Sequence, residues 1–76
     1  MSLVKVTEIV LNTRKEPERR TTWINPDSIL ELFEKNLETL SRNGWNTTGL
    51  SKLYEVDRKH ANYFFIDHDS FLNLTK

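Results

Sequence analysis

The heptapeptide Trp23-Ile24-Asn25-Pro26-Asp27-Ser28-Ile29 marks the point where the chain must change direction. Proline fixes its own φ angle, lacks an N–H group and disfavours the helical conformation in the residue before it. Asn25 and Asp27 have short polar side chains that can accept hydrogen bonds from the free amides of such a turn. The stretch therefore predicts the end of one element and the start of another at Pro26.

Upstream of this turn, two segments have the composition of β-strands. Residues 3–11 are rich in β-branched side chains, and residues 19–24 resume the pattern after a polar connection at 12–18. Alternate residues of a strand point to opposite faces, and both sets of alternate residues in the first segment are apolar, with Val6 in one set and Ile9 in the other. This predicts a strand that is covered on two sides or shifted in phase by a bulge. The two segments together predict a hairpin.

Downstream of the turn, the pattern favours a helix over 26–43. Apolar residues recur there at the spacing of one helical face: Ile29, Leu30, Phe33, Leu37 and Leu40. Pro26 suits the first position of a helix, and Asn43-Gly44 suits its end. The alternative is a strand over 29–34, because a short apolar run is compatible with either element.

The last third of the chain predicts a second hairpin. Residues 50–56 and 63–67 have strand composition and flank a polar turn at 58–62, and a short helical turn capped by Asp69 or Ser70 follows. We therefore predict an α+β fold that is mainly β. It has a small antiparallel four-stranded sheet of two hairpins, with one amphipathic helix, about Pro26–Asn43, packed on it. An all-β curled sheet is the alternative.

Length and composition predict a single small domain spanning residues 1–76. A chain of this length buries about 60% of its unfolded surface, and without cysteine it cannot add disulfides. We therefore expect a homo-oligomer, most simply a dimer. Eleven basic and eleven acidic residues cancel, which argues against a protein that neutralises many phosphates. No apolar run approaches the ~20 residues of a membrane span, so we expect no membrane partner and a cytosolic location.

Candidate catalytic and metal-binding patterns are weak. The chain lacks the Gly-x-Ser-x-Gly nucleophile pattern, and its two glycines do not form a phosphate-binding loop. Asp67-His68-Asp69, with His60 elsewhere, offers metal-ligand chemistry, but alternate residues of a strand point to opposite faces. A solvated strand end is the favoured interpretation of this tripeptide. We predict no enzyme activity, no metal and no cofactor.

The short N-terminal Val-Lys-Val-Thr segment, the Ile24-Asn25-Pro26-Asp27 turn and the late Tyr-x-x-Ile-Asp run resemble the short FlbD-like β proteins of flagellar operons and similar small phage or bacterial proteins. The resemblance covers about half of the chain. It implies that the turn joins strands of a small curled sheet, and that Asp69-Ser70 occupies the place of the family's Glu-Ser segment. The chain departs from the family over residues 36–49, where the family has a brief connection. The resemblance implies a fold and no catalytic residues.

Basic and aromatic residues give the candidate binding set. The residues with this chemistry are Arg14, Lys15, Arg19, Arg20, Trp23, Trp45, Tyr54 and Tyr63. Guanidinium groups and aromatic faces together can bind a nucleotide or a single strand of nucleic acid. Glu16 and Glu18 lie in the same segment as the arginines and offset their charge, which favours a solvated mixed-charge loop. Tryptophan is also enriched at protein-binding hot spots, so Trp23 and Trp45 are candidates for an interface.

Two function classes follow from these patterns. The first is a small phage or bacterial binding module that acts as a homo-oligomer and binds or inhibits a protein partner. Its oligomer interface is predicted at Phe33, Leu37 and Leu40, with one of the tryptophans. The second is a module that sequesters a nucleotide or a single-stranded nucleic acid through Arg14, Arg19, Arg20 and the aromatic residues.

Overall fold

A computed structural model describes residues 2–12 and 14–76 of the chain. Its elements are β1 (Val4–Leu11), β2 (Pro17–Ile24), a 3₁₀ turn (Pro26–Ser28), β3 (Ile29–Lys35), α1 (Leu37–Arg42), β4 (Leu53–Arg58), β5 (Phe64–Asp67) and α2 (His68–Leu74). The strands form one antiparallel five-stranded sheet in the order β2-β1-β5-β4-β3. The prediction of a mainly β antiparallel fold with one helix packed on the sheet is confirmed in this coarse form, with five strands in place of four. The packed helix is α2 and not the predicted mid-chain helix.

The sheet curls because β2 and β3 occupy opposite edges yet are joined by a very short connection. In a flat five-stranded sheet the two edges would lie about 19 Å apart. The backbone from Ile24 to Ile29 spans about 17 Å even when fully extended. The 3₁₀ turn shortens it further, since the Ser28 N–H donates to the Asn25 carbonyl at 2.9 Å. The edges must therefore approach each other at this end.

The turn at Pro26 is capped as its sequence predicts. The Asn25 side chain accepts a hydrogen bond from the Asp27 amide at 2.9 Å, and Pro26 occupies the first position of the 3₁₀ turn. The Ser28 carbonyl also accepts from the Lys59 amide at 3.0 Å, which fastens the turn to the end of β4. The heptapeptide thus joins the two sheet edges.

The helix predicted over 26–43 is wrong. Residues 29–35 form β3, and only Leu37–Arg42 is helical, with Asn36 as its cap. The predicted helical face does not form, because Ile29 packs against the inner core whereas Phe33 lies on the outer face of the sheet. Leu30 lies in a bulge, since the register between β3 and β4 shifts between Ile29 and Glu31. Pairing with β4 thus overrides the helical spacing of these residues. The alternative strand over 29–34 has the correct type.

The inner face of the sheet carries the main core. Its buried members are Val6, Ile24, Tyr54, Val56 and Ile66, and half-buried apolar residues of β1, β3, β5 and α2 pack against them. The C-terminal helix α2 covers this face. Its cap is Asp67, whose carboxylate accepts from the Ser70 amide at 2.9 Å, so the predicted caps Asp69 and Ser70 are wrong. The cap lies where strand geometry ends, one residue before the helix.

The outer face also buries apolar side chains, as the two apolar phases of β1 predict. Ile9 and Leu53 are 1% and 0% exposed, respectively, and their side chains lie opposite to the inner core. One cross-strand row runs over this face through Arg19, Ile9, Phe65, Glu55 and Phe33. The row mixes charge with aromatic surface, and the candidate site lies beside it.

Candidate binding groove on the outer face

A shallow groove of about 390 Å³ lies where β3 begins and β4 turns into β5. Its lining residues are Leu30, Glu55, Asp57, Arg58, Ala61, Asn62 and Tyr63. Leu30 is the bulged residue of β3 and is 69% exposed, and Tyr63 is 59% exposed. A bulge turns a side chain away from the regular alternation of a strand. The groove therefore combines two exposed apolar side chains with two carboxylates.

The carboxylates of Glu55 and Asp57 share one face of β4 because they are two residues apart on a strand. Burial raises the pKa of the Glu55 carboxyl above its ordinary value, and the adjacent Asp57 raises it further. Lys35 opposes this effect, with its Nζ 3.6 Å from the Glu55 Oε1. The two acids thus repel each other, and one lysine compensates this repulsion in part.

Arg58 lies in the groove but its guanidinium is held by other groups. Its Nε and Nη2 donate to the Asn62 carbonyl at 2.9 and 2.7 Å, and it lies over the Phe64 ring at 4.8 Å. These contacts brace the turn between β4 and β5. Among the described residues, Asp57 makes no ion pair. The Asp57 carboxylate is therefore the group of the groove available to a cationic ligand, and the Arg58 charge opposes this attraction in part.

The basic residues of the predicted binding set do not converge. Arg19 forms a 3.6 Å ion pair with Asp67 and also donates to the Gly49 carbonyl, while Arg20 pairs with Glu18 on the opposite face of β2. Arg14 lies in the exposed turn between β1 and β2. Arg19 lines a pocket with Asp67, His68 and Asp69, and neither Arg14 nor Arg20 lines it.

The aromatic residues of that set are also dispersed. Trp23 is 58% exposed near the end of β2, and Trp45 is half-buried beneath the Lys15 ammonium group at 5.7 Å. Tyr54 is only 4% exposed, and its ring stacks on Phe71 at 3.9 Å. Because its buried ring offers no free face to a base, Tyr54 belongs to the core and not to the binding set.

The predicted oligomer residues lie towards the β3 side of the molecule. Phe33 is half-buried on the outer face, with the Lys35 ammonium 5.6 Å from its ring centre. Leu37 and Leu40 are half-buried on α1. The wide groove that Leu37 lines with Glu34, Lys35, Asn36, Glu38 and Ser51 is mainly polar in composition. These three residues therefore contribute little continuous apolar surface.

Sequence reasoning missed Leu30, Glu55 and Asp57 as site residues. The signal for the acids is their spacing of two in a strand, which places both carboxylates on one face. The position of Leu30 depends on the bulge, which no local pattern in 29–35 reveals. In the described residues, no group of three or more His, Cys, Asp or Glu side chains is arranged to hold a metal ion. None of the helices described is long and apolar enough to span a bilayer.

Comparison with known proteins adds no relative: no family model, no curated protein and no solved structure matches this chain.

Proposed function

We propose that this chain is a small non-enzymatic binding module that acts by occupying the surface of a protein partner. The observation that carries the proposal is the groove in which exposed Leu30 and Tyr63 flank the Glu55 and Asp57 carboxylates. Binding sites typically combine apolar contact area with a few polar groups that fix orientation. The groove has both components on neighbouring strands.

The charge of the groove selects the chemistry of the partner. Two adjacent carboxylates, one of them with a raised pKa, are stabilised by a nearby positive charge. The Tyr63 ring adds a face on which a cationic group can rest. We therefore infer a partner segment that presents a lysine or arginine beside an apolar side chain. The apolar side chain would cover Leu30, and the cation would lie between the acids.

A direct test uses two short peptides, one with arginine between two leucines and a matched peptide with glutamate in the place of arginine. Amide NMR shifts of the labelled protein report where each peptide binds. We expect shifts around Leu30, Asp57 and residues 61–63 with the arginine peptide alone. Asp57→Asn should weaken these shifts, and Asp69→Asn, at an exposed acid of α2 outside the groove, should leave them unchanged. Equal shifts with both peptides would contradict the proposal.

The nucleotide alternative remains a prediction with its own measurement. A ligand at 100 times its dissociation constant stabilises a protein by about 2.7 kcal/mol, so a thermal-shift panel of nucleotides detects it. A flat panel supports the protein-binding class. A clear shift that is lost in Arg19→Ala or Trp23→Ala would favour the alternative.

We infer in addition that the module acts as a homodimer. The support is its small size, the absence of cysteine and the regular, unpaired β2 edge of the sheet among the described residues. Light scattering at high micromolar concentration tests the inference, because a monomer of 9.0 kDa would contradict it.

A further inference from the structure

The free edge of β2 is a long, regular and unpaired strand edge. β2 pairs with β1 residue for residue from Pro17 to Ile24, without a bulge. Its backbone makes no hydrogen bond to any other element in the described ranges. An edge of this kind is a template for pairing with a further strand.

The hairpin fixes which backbone groups of β2 point outward. The Asn12 N–H donates to the Glu16 carbonyl at 3.1 Å, so this pair is hydrogen-bonded. Antiparallel ladders alternate between hydrogen-bonded and non-hydrogen-bonded pairs. By this alternation, the pairs that β1 makes with Arg19, Thr21 and Trp23 are non-hydrogen-bonded. The N–H and C=O groups of these three residues therefore face away from β1. Pro17 also forms a non-hydrogen-bonded pair with β1, which is compatible with proline because no N–H of Pro17 is needed for the ladder.

The same three residues have their side chains on the outer face, where two copies of β2 complement each other. With a two-fold axis at Thr21, the outward backbone groups of all three residues meet outward groups of the partner strand. Arg19 then lies opposite the partner's Trp23, Thr21 opposite the partner's Thr21, and Arg20 opposite the partner's Thr22. Guanidinium on indole and threonine on threonine are favourable cross-strand pairs. No like charges are directly opposed.

Other positions of the axis are worse. An axis at Arg19 or Arg20 places two guanidinium groups directly opposite each other, which is destabilising. An axis at Thr22 leaves the outward groups of Arg19 beyond the end of the partner strand. Arg19 already contacts Asp67 and the Gly49 carbonyl, but these contacts are 3.6 and 3.4 Å long and the Arg19 side chain is 51% exposed, so their contribution is small. Replacing these contacts of Arg19 by a contact with the partner's Trp23 ring therefore costs little.

We propose that two copies of this chain pair antiparallel through their β2 edges about a two-fold axis at Thr21, which joins their sheets into one of ten strands. The proposal rests on the inferred homodimer and names its surface, which lies on β2 and away from Phe33, Leu37 and Leu40. It covers the exposed Trp23 and satisfies the outward backbone groups of the β2 edge.

The test uses opposite charges at the axis. Thr21→Glu and Thr21→Lys each place like charges opposite each other in a homodimer, and such juxtaposition should raise the dissociation constant at least about tenfold. A 1:1 mixture of the two variants should recover the dimer, since glutamate then faces lysine. Thr39→Glu and Thr39→Lys, at an exposed threonine of α1 beyond the opposite edge strand β3, are the matched controls and should dimerise like the parent. Sedimentation velocity measures all five samples and the mixture, and circular dichroism checks their folding.

The possible outcomes distinguish the homodimer itself from its β2 interface and from the position of the axis. A parent that sediments as a monomer overturns both the homodimer and its β2 interface. A dimeric parent with dimeric Thr21 variants keeps the homodimer and overturns the β2 interface. Monomeric Thr21 variants whose mixture stays monomeric overturn the axis at Thr21. Monomeric Thr21 variants, a dimeric mixture and unaffected Thr39 controls support the proposal in full.

Discussion

The two edge strands β2 and β3 protect themselves from unwanted pairing in different ways. β3 has a bulge at Leu30, and its charged Glu31, Glu34 and Lys35 follow directly. β2 is regular over its whole length and has no bulge. Natural sheets discourage association through bulges and charges at their edges. The bulge of the backbone therefore hinders pairing at the β3 edge, whereas only side chains can hinder pairing at the β2 edge.

The largest expected change in the free energy of unfolding is at the C-terminal end of β2, where Ile24 enters the core. Ile24 is 5% exposed, so Ile24→Asp buries a charge without a partner and should cost at least about 4 kcal/mol, enough to unfold the domain. Pro26→Ala should cost far less, because Asn25 still caps the turn. Urea unfolding followed by circular dichroism measures both variants. Similar midpoints would show that the end of β2 is not part of the core.

The next effect separates the two sides of the β2 backbone. The Thr22 N–H faces β1 in the alternation of the ladder, whereas the Thr21 N–H faces outward. Thr22→Pro removes the hydrogen bond of the Thr22 N–H and leaves a β1 carbonyl without its donor, so it should cost about 1 to 3 kcal/mol. Thr21→Pro removes no hydrogen bond to β1, as Pro17 shows at an equivalent position, so it should leave the fold intact at concentrations low enough for the chain to be monomeric. Thermal unfolding measures the difference, and equal losses in both variants would contradict the assigned orientation of the edge.

A smaller effect tests the bulge of β3. Leu32 packs against the inner core, whereas Leu30 is turned into the groove. Leu32→Ala should cost about 1 to 2 kcal/mol, and Leu30→Ala should change the free energy of unfolding by less than about 0.5 kcal/mol. Urea midpoints for the two variants give this comparison directly. A regular β3 would bury Leu30 and reverse the order.

The smallest effect concerns the charge contact that links β3 to β4. Burial and the adjacent Asp57 raise the pKa of Glu55 above its ordinary value, so its contribution to stability is fully present well below that ordinary value and declines as the pH rises through the folded pKa. Glu55→Gln removes this decline, although it also removes the contact with Lys35. The stability of the variant relative to the parent should therefore increase from pH 4 to pH 7. Urea midpoints at the two pH values measure the change, and a constant difference would contradict it.

The strands on either side of the Pro26 turn illustrate how far the sequence predicts the fold. Alternation and β-branched composition correctly indicate β1, β2 and the hairpin of β4 and β5, because these are local properties. β3 is different, since its strand conformation depends on pairing with β4 across the intervening residues 36–52. Tertiary pairing overrides the helical spacing of Ile29, Phe33 and Leu37.

The candidate site was less accessible to prediction than the fold. Two of its residues, Glu55 and Asp57, follow from strand alternation once β4 is placed, but Leu30 depends on a bulge and Tyr63 on the turn beside it. The dispersal of the arginines depends on which face of β2 each side chain occupies and on the ion partners that tertiary structure supplies. A composition-based binding set contains none of this information.

The short ladder between β1 and β5 has a consequence for the order of folding. Its two pairs, Glu8 with Ile66 and Ile9 with Phe65, join residues 58 and 56 positions apart in a chain of 76 residues. The buried Ser70 hydroxyl extends this ladder by accepting a hydrogen bond from the Thr7 amide at 2.7 Å. The other ladders are hairpins or join strands that follow each other in sequence. Closing the longest loop carries the largest entropic cost before its contacts form. We therefore expect β1 and β5 to dock after the hairpins, so substitutions at Ile9 or Ser70 should accelerate unfolding more than they slow refolding.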